Sequence, residues 1–217
     1  RGAYLNSDNG TVALKAGTNI ELTTGRAKAV DDYGLKHKER GLLSSTTTTV
    51  KTHEDHQQVL GTTITGKTVQ LGANQDVNLT AATVAAQDNV TLAAGRNITT
   101  TSDTQYDKSQ ADTKVKTSGI MGAGLGIMIG TKKVKDTYDG EWKTQIGTTL
   151  AATGGNVTIS AGDTAHLTTT DVVGQKGITV TAQDIILDGN RNEAREKQTH
   201  EESQSGLTIS VSSPVVN

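Results

Sequence analysis

The stretch GGNVTISAGDTAHLTTTDVVGQKGITVTAQDIIL, residues 154–187, decides the fold. Apolar and polar residues alternate from Val157 onward and again from Ile178, a pattern that predicts strands with one buried face. A residue that tolerates a bend precedes each strand, Asn156 before the first and Gly177 before the second. The two strands begin 21 residues apart. Such strands and corners at a fixed interval predict a chain that winds as a coil.

The same interval occurs earlier in the chain. Within residues 67–102, the apolar residues Val69 and Val90 are again 21 residues apart. Two further strand starts lie between them, at Val77 and Val84, so one turn of the coil is predicted to carry about three strands.

Small-residue corners recur between the predicted strands. They lie at residues 16–19, 94–97, 161–163 and 182–184. A fixed period with strands and Gly, Asn or Asp corners is typical of a solenoid. Strands of successive turns are expected to stack in parallel about 4.8 Å apart, with Val, Ile and Leu pointing inward.

A longer repeat runs through the whole chain: coil strands, a charged stretch and then a small apolar segment. The apolar segments are Arg-Gly-Leu-Leu-Ser at 40–44, Ser-Gly-Ile-Met-Gly at 118–122 and Ser-Gly-Leu-Thr-Ile at 205–209. The sequence therefore predicts a single elongated domain, 1–217, of three copies at approximately 1–66, 67–153 and 154–217. We expect the chain to be a piece of a longer repeating protein.

The stretches between coil segments are less regular. Residues 25–40 carry mixed charge and are predicted to be a solvated loop or extension, and residues 41–66 to be strands that leave the coil. Whether such inserts are hairpins or further turns stays open. Residues 190–203 have a short helix as an alternative, because Glu193 and Lys197 are four apart. Residues 1–10 are expected to end a preceding coil.

Composition supports a thin core and excludes some functions. The chain has no Phe, one Trp and one Pro, so a core of large aromatic residues is not expected, whereas a continuous sheet is. The net charge is −2 and no segment is strongly basic, which argues against a nucleic-acid partner. The chain has no Cys, which says little for a cytosolic protein and in a secreted one removes the risk that disulfides trap the chain during export.

The glycine-rich segment 118–131 is the candidate contact site. Its glycines are not followed by Lys-Ser or Lys-Thr and a helix, so a phosphate-binding loop is rejected. Alternation predicts a strand that either packs its apolar face on the coil, which we favour, or contacts a membrane or partner. The candidate residues of this apolar strand are Ile120, Met121, Leu125, Ile127, Met128 and Ile129.

Histidine and carboxylate clusters are expected to be structural. In His53-Glu54-Asp55-His56 the two histidines point to opposite faces of a strand, which disfavours a shared metal. His200 lies in a charged stretch, and His166 is expected to point outward. Outward coil positions are mostly Thr, Ser, Asn and Gln, which lack acid–base capacity. The sequence therefore predicts no catalytic, metal-binding or cofactor-binding residue, and no enzyme.

Two coil segments resemble a known family. Gly-Asn-Val-Thr-Ile-Ser-Ala-Gly at 155–162 and Asn-Val-Thr-Leu-Ala-Ala-Gly-Arg-Asn-Ile at 89–98 look like the haemagglutinin repeats of two-partner-secreted bacterial exoproteins. This group includes filamentous haemagglutinin adhesins and contact-dependent growth inhibition effectors of the CdiA type.

The resemblance implies an all-β fold, a right-handed parallel β-helix with coils of about 21 residues and hairpin or loop extensions. It further implies export through an outer-membrane secretion partner and a location at the bacterial cell surface. In an inhibition effector such a repeat helps a toxin cross the target outer membrane. In an adhesin it forms a shaft that contacts a host surface. The family's repeats carry no catalytic residues.

Overall fold

The computed structural model describes residues 2–123 and 126–210. In these ranges the chain forms strands and no helix. The strands are β1 (Tyr4–Ala16), β2 (Ile20–Leu22), β3 (Gly25–Arg40), β4 (Ser44–Leu60), β5 (Thr63–Ala73), β6 (Val77–Thr80), β7 (Thr83–Ala86), β8 (Val90–Ala94), β9 (Ile98–Thr101), β10 (Asp103–Ala123), β11 (Gly126–Ile146), β12 (Thr148–Ala152), β13 (Asn156–Ala161), β14 (Thr164–Thr168), β15 (Thr170–Gly174), β16 (Gly177–Thr181), β17 (Asp184–Asp188) and β18 (Glu193–Ser210).

The coil strands form three parallel columns, as the 21-residue interval predicts. In one column β1, β5, β8, β13 and β16 follow one another, and Val90 pairs with Val69 on one side and Val157 on the other. A second column contains β2, β6, β9, β14 and β17. The third contains the first parts of β1 and β5 and then β7, β12 and β15. Within the described residues the chain therefore makes five stacked coils, an all-β arrangement consistent with a parallel β-helix.

Each coil contributes to the stack in chain order. Coil 1 holds β1 and β2, coil 2 holds β5 and β6, coil 3 holds β7 to β9, coil 4 holds β12 to β14, and coil 5 holds β15 to β17. The expectation that residues 1–10 end a preceding coil is wrong for Tyr4–Ser7. These residues pair with Thr63–Gly66 and belong to coil 1, because β1 continues as one strand through an irregularity between Ser7 and Thr11.

The core is a narrow stack of aliphatic side chains. Alternate residues of the coil strands are buried, and Leu71, Leu92 and Ile159 follow one another across coils 2, 3 and 4. Parallel ladders place like residues above one another, so a core of Val, Ile, Leu and Ala fills without aromatic rings. In β14, Ala165 and Leu167 are buried while His166 is partly exposed, which confirms its outward orientation.

The inserts are strands of a separate sheet and not further turns of the coil. Its strand order is β18-β11-β10-β4-β3. Residues 25–40, predicted as a loop or extension, form strand β3, and the helix alternative for 190–203 is wrong because β18 covers most of it. Cross-strand side-chain pairs, such as His200 with Asp136, stabilise the extended backbone of a segment whose own sequence has only a weak preference for strand.

Contacts divide the chain into two compact units. The coil unit comprises Arg1–Lys28, Gln57–Tyr106 and Lys143–Glu193, and the second unit comprises Ala29–His56, Asp107–Trp142 and Ala194–Asn217. The second unit contains most of the five-stranded sheet. The division into three sequence copies stays a prediction.

A charged cluster ties one corner of coil 2 to coil 3. Asp76 accepts hydrogen bonds from the Arg96 guanidinium and from the backbone N–H and side-chain amide of Asn97. The hydrogen bonds from Arg96 are the main cause that lowers the pKa of Asp76 to about 2, with the Asn97 backbone adding to them. The ionised carboxylate is therefore the form that the folded corner favours.

We expect Asp76→Asn to remove a component of stability that depends on pH. A carboxyl group whose pKa is lower when folded stabilises the protein fully above its unfolded pKa, near 4, and loses that contribution as the pH falls towards 2. The variant should be less stable than the parent at pH 7, and the difference should shrink between pH 4 and pH 2. Urea midpoints across this range measure it, with Asp171→Asn as the control for loss of one carboxylate. A constant difference from pH 7 to pH 2 would contradict the assignment.

Candidate functional site

The five-stranded sheet carries the candidate contact residues, and side-chain contacts fix its register. Ser118 of β10 contacts Thr131 of β11, and Gln110 of β10 contacts Asp139 of β11. Moving eight residues towards the start of β10 therefore moves the partner eight residues towards the end of β11. This is an antiparallel pairing.

The other strand pairs follow the same rule. Thr46 contacts Thr117 and His56 contacts Asp107, which makes β4 and β10 antiparallel. Strands β11 and β18 are antiparallel as well, because Asp136 contacts His200 and the next residue along β11, Thr137, contacts Thr199. Strands β3 and β4 form a hairpin, closed where Gly41 N–H donates to Ser44.

The predicted apolar strand is divided between two strands. β10 ends at Ala123 and β11 begins at Gly126, so the prediction of one continuous strand is wrong. Glycine is a weak strand former, and Gly122 lies near the end of β10 while Gly126 is the first residue of β11. Of the six candidate residues, Leu125 lies outside the described residues.

The candidate side chains lie on two faces of the sheet. Ile120, Ile127 and Ile129 are exposed, with Ile127 at 53%, whereas Met128 is 4% exposed and Met121 is partly buried. The register places Ile120 opposite Ile129 on one face. Exposure of the three isoleucines argues against the favoured expectation that the segment packs its apolar face on the coil.

Sequence reasoning missed the residues that other strands add to this face. The N–H of Ile120 donates to the carbonyl of Leu43, and the register sets Leu207 beside Ile129 and Ile209 beside Ile127. We call this cluster the apolar end of the sheet, and its exposed members are Leu43, Ile120, Ile127, Ile129, Leu207 and Ile209. The sequence shows these apolar residues in the similar segments Gly-Leu-Leu and Gly-Leu-Thr-Ile, but only strand pairing brings the segments together in one cluster.

Two glycines allow the strands to approach at the base of the apolar end. Gly119 has a φ of +124°, and a Cβ there would lie 2.2 Å from the Leu43 carbonyl oxygen. Gly206 has a φ of +155°, and its Cβ would lie 2.3 Å from the Ile129 carbonyl oxygen. Each of these two glycines thus lies against the backbone of the neighbouring strand. Residues with a side chain rarely adopt these φ values and would not fit in this space.

The histidine clusters form cross-strand pairs with carboxylates. His53 contacts Asp32 at 2.7 Å, and His56 contacts Asp107 at 2.9 Å. The hydrogen bond with Asp107, followed by that with Glu54, raises the pKa of His56. In the part of the chain that the structure describes, no group of three or more potential ligands could hold a metal ion.

An open groove crosses the middle of the same sheet face. It has a volume of about 740 Å³ and receives side chains from all five strands of the sheet. Its polar groups include the pairs His53–Asp32 and Gln110–Asp139. Burial, with a smaller contribution from Glu196, raises the pKa of Tyr138 at its edge, which keeps that hydroxyl protonated.

The described residues include no helix with the length and apolar character needed to cross a bilayer.

The sequence profile described as "Hemagglutinin repeat" matches residues 43–152 and 129–215. The chain belongs to the haemagglutinin repeat family. This haemagglutinin-repeat chain is similar to curated proteins along almost its whole length. It is 30% identical over 211 residues to "tRNA nuclease CdiA" of Escherichia coli strain STEC_O31, covering 95% of this chain and 6% of the relative.

Other CdiA proteins are similarly related. "16S rRNA endonuclease CdiA" of Enterobacter cloacae is 29% identical, with 93% of this chain and 6% of the relative covered. "Deoxyribonuclease CdiA" of Dickeya dadantii is 29% identical, with 95% and 6% covered. The chain thus spans about 6% of the length of these relatives. No solved structure matches it. The chain is a haemagglutinin-repeat region of the CdiA type.

Proposed function

We propose that this haemagglutinin-repeat chain is a non-catalytic segment of a contact-dependent growth inhibition effector. In this role it supports passage of a toxin across the outer membrane of a target bacterium. The full-length protein is exported by an outer-membrane secretion partner and displayed on the bacterial surface. Similarity to CdiA proteins over most of the chain supports this proposal.

The observation that carries the proposal is the exposed apolar end of the sheet. Three antiparallel strands place Ile120, Ile129 and Leu207 side by side in water. Burying one such side chain is worth about 1.5–3 kcal/mol, and soluble proteins rarely expose contiguous apolar patches. The apolar end therefore favours contact with a membrane or a partner over a passive shaft.

A non-catalytic role is supported by the chemistry of the polar groups. The histidine–carboxylate pairs His56–Asp107 and His166–Asp188 are exposed, and neither histidine lines the open groove of the sheet. The nuclease activities belong to the names of relatives of which this chain covers about 6%.

The test is a growth-competition assay with the parent protein lacking residues 1–217 in frame. We expect normal surface display and loss of killing of neighbouring bacteria. A second parent carries Ile127→Ser with Ile129→Ser, for which we expect at least a tenfold loss of killing. Its matched control carries Val30→Ser with Leu35→Ser, two similarly exposed aliphatic residues of β3, and should kill normally.

Different results would replace the proposal. Normal killing by the displayed deletion protein would show that the segment is not needed for delivery. A parent that never kills, with a deletion that only weakens attachment, would assign the segment to the shaft of a filamentous haemagglutinin-type adhesin binding a host surface.

A further inference from the structure

On one face of the five-stranded sheet the side chains change from basic to hydroxyl-bearing to apolar towards the apolar end. Alternate residues of a strand share a face, so Lys114, Lys116, Ser118 and Ile120 lie in line along β10. Strand β11 has the matching series in the opposite direction. Its members are Lys135, Lys133, Thr131, Ile129 and Ile127.

Pairing brings the lysines of the two strands together. The register that joins Ser118 to Thr131 sets Lys116 opposite Lys133 and Lys114 opposite Lys135. These four lysines line one cleft of about 500 Å³. Like charges directly opposite each other on a sheet face are destabilising, so the arrangement favours an anionic partner.

Strand β3 extends the same charge across the sheet. The β3–β4 hairpin register sets Lys38 opposite Thr47 and Lys36 opposite Thr49, and β4 in turn pairs with β10. We call this set the basic band. It consists of Lys36, Lys38, Lys114, Lys116, Lys133 and Lys135.

The acidic groups on this face are few near the basic band. Asp112 contacts Lys114 at 3.1 Å, and Glu201 of β18 lines the same cleft. Asp32 and Asp139 lie further from the apolar end and contact His53 and Gln110. Among the described residues, Lys116, Lys133 and Lys135 form no ion pair within 4.0 Å.

A band of hydroxyl groups separates the basic band from the apolar end. The hydroxyls of Ser118 and Thr131 lie 3.2 Å apart, and the register adds Ser45 from β4 and Ser205 from β18. From Lys116 to Ile120 is four residues, or about 13 Å of extended strand. The polar layer on each side of a bilayer's hydrocarbon core is about 5–8 Å thick, and lysine side chains extend several Å towards the phosphates.

We propose that this sheet face binds a bilayer with anionic phosphate headgroups, apolar end first. The apolar end enters the acyl region, the hydroxyl band lies among the headgroups, and the basic band contacts the phosphates. This inference deepens the proposed function, because it names lipid as the partner of the same site. A sulfated polysaccharide also attracts lysines, but it leaves the adjoining apolar end in water.

The test measures vesicle flotation of the 217-residue chain. One set of vesicles is phosphatidylcholine alone and the other contains 30 mol% phosphatidylglycerol. We expect partitioning to the anionic vesicles to exceed that to neutral vesicles by at least tenfold. Each lysine near an anionic surface contributes roughly fivefold, so Lys116→Gln, Lys133→Gln and Lys135→Gln together should reduce partitioning roughly 100-fold.

The control variant changes three exposed lysines of the coil unit. It carries Lys15→Gln, Lys67→Gln and Lys176→Gln, which alter the net charge equally and should leave partitioning within about twofold. A third variant, Ile120→Ser with Ile127→Ser and Ile129→Ser, should still bind at low salt but dissociate in 0.5 M NaCl, because only screened attraction remains. Circular dichroism melting checks that each variant is folded.

Several outcomes overturn the inference. Equal loss in the two lysine variants would show that only net charge matters. Equal binding to neutral and anionic vesicles would exclude headgroup recognition. Binding to dextran sulfate beads without vesicle binding would assign the basic band to polysaccharide. If vesicle binding fails while deletion still abolishes killing, the delivery function stands without this lipid contact. If vesicle binding holds while the deletion protein kills normally, the delivery function fails alone.

Discussion

Leu92→Ala is expected to lower the free energy of unfolding of the 217-residue chain by about 2–5 kcal/mol. Leu92 is 0% exposed and lies in β8 of coil 3, between Leu71 of coil 2 and Ile159 of coil 4. Truncation leaves a cavity, and the ladders on both sides prevent the neighbouring coils from closing it. In a solenoid, stability is approximately a sum of repeat and nearest-neighbour terms, so a central position affects two interfaces.

The matched control is Leu187→Ala in β17. Leu187 is 70% exposed, so its truncation should change stability by less than about 0.5 kcal/mol. Urea unfolding followed by circular dichroism measures both variants, and the slope with denaturant shows whether the transition stays cooperative. A loss below 1 kcal/mol for Leu92→Ala at unchanged slope would contradict its position in a close-packed core.

Gly95→Ala is expected to destabilise the coil unit by about 1–3 kcal/mol or more. Gly95 forms the corner after β8, and its N–H donates to Ala73 of the coil below. An added Cβ would lie 2.1 Å from the carbonyl oxygen of Asn74, which is backbone and cannot turn aside. The corner must therefore move away from coil 2, which weakens the neighbouring ladder hydrogen bonds.

The same substitution at the equivalent corner of coil 1 should not destabilise the protein. A Cβ at Gly17 meets nothing within 4 Å. Alanine there mainly reduces the entropy of the unfolded chain, so Gly17→Ala should leave stability unchanged or raise it by about 0.4–1 kcal/mol. Thermal melts of the two variants make the comparison. Equal destabilisation at Gly17 and Gly95 would show that close approach between coils is not the reason for glycine at these corners.

The coil could be predicted because the fixed interval between its strands in the sequence specifies which residues pair. A strand of one coil pairs with the strand one period later, and Val69 and Val90 are partners at that interval. Alternation identifies the buried face locally, and the small-residue corners mark where each strand ends. A long insert increases the number of residues between partners but leaves the pairing of the coil strands unchanged. Val12 and Val69, for example, are partners although the β3–β4 hairpin lies between them.

The inserts were harder to predict because their strands lack a clear apolar face. In β3 the side chains are nearly all exposed and charged residues occupy both faces, so the sequence alone favours a solvated loop or extension. In β18 the spacing of Glu193 and Lys197 leaves a short helix open as an alternative. Extended structure there depends on hydrogen bonds and side-chain pairs with β11, which local sequence does not show.

The sequence by itself determined the solenoid period, the inward-facing residues of most coil strands and the resemblance to haemagglutinin repeats. Only the tertiary structure decided that apolar segments far apart in the sequence lie together and that lysines of three strands form one band. Coil register follows a fixed interval that sequence periodicity records. Register in the five-stranded sheet is set by where each hairpin reverses and by backbone pairing between segments far apart in the sequence, which no local pattern of side chains specifies.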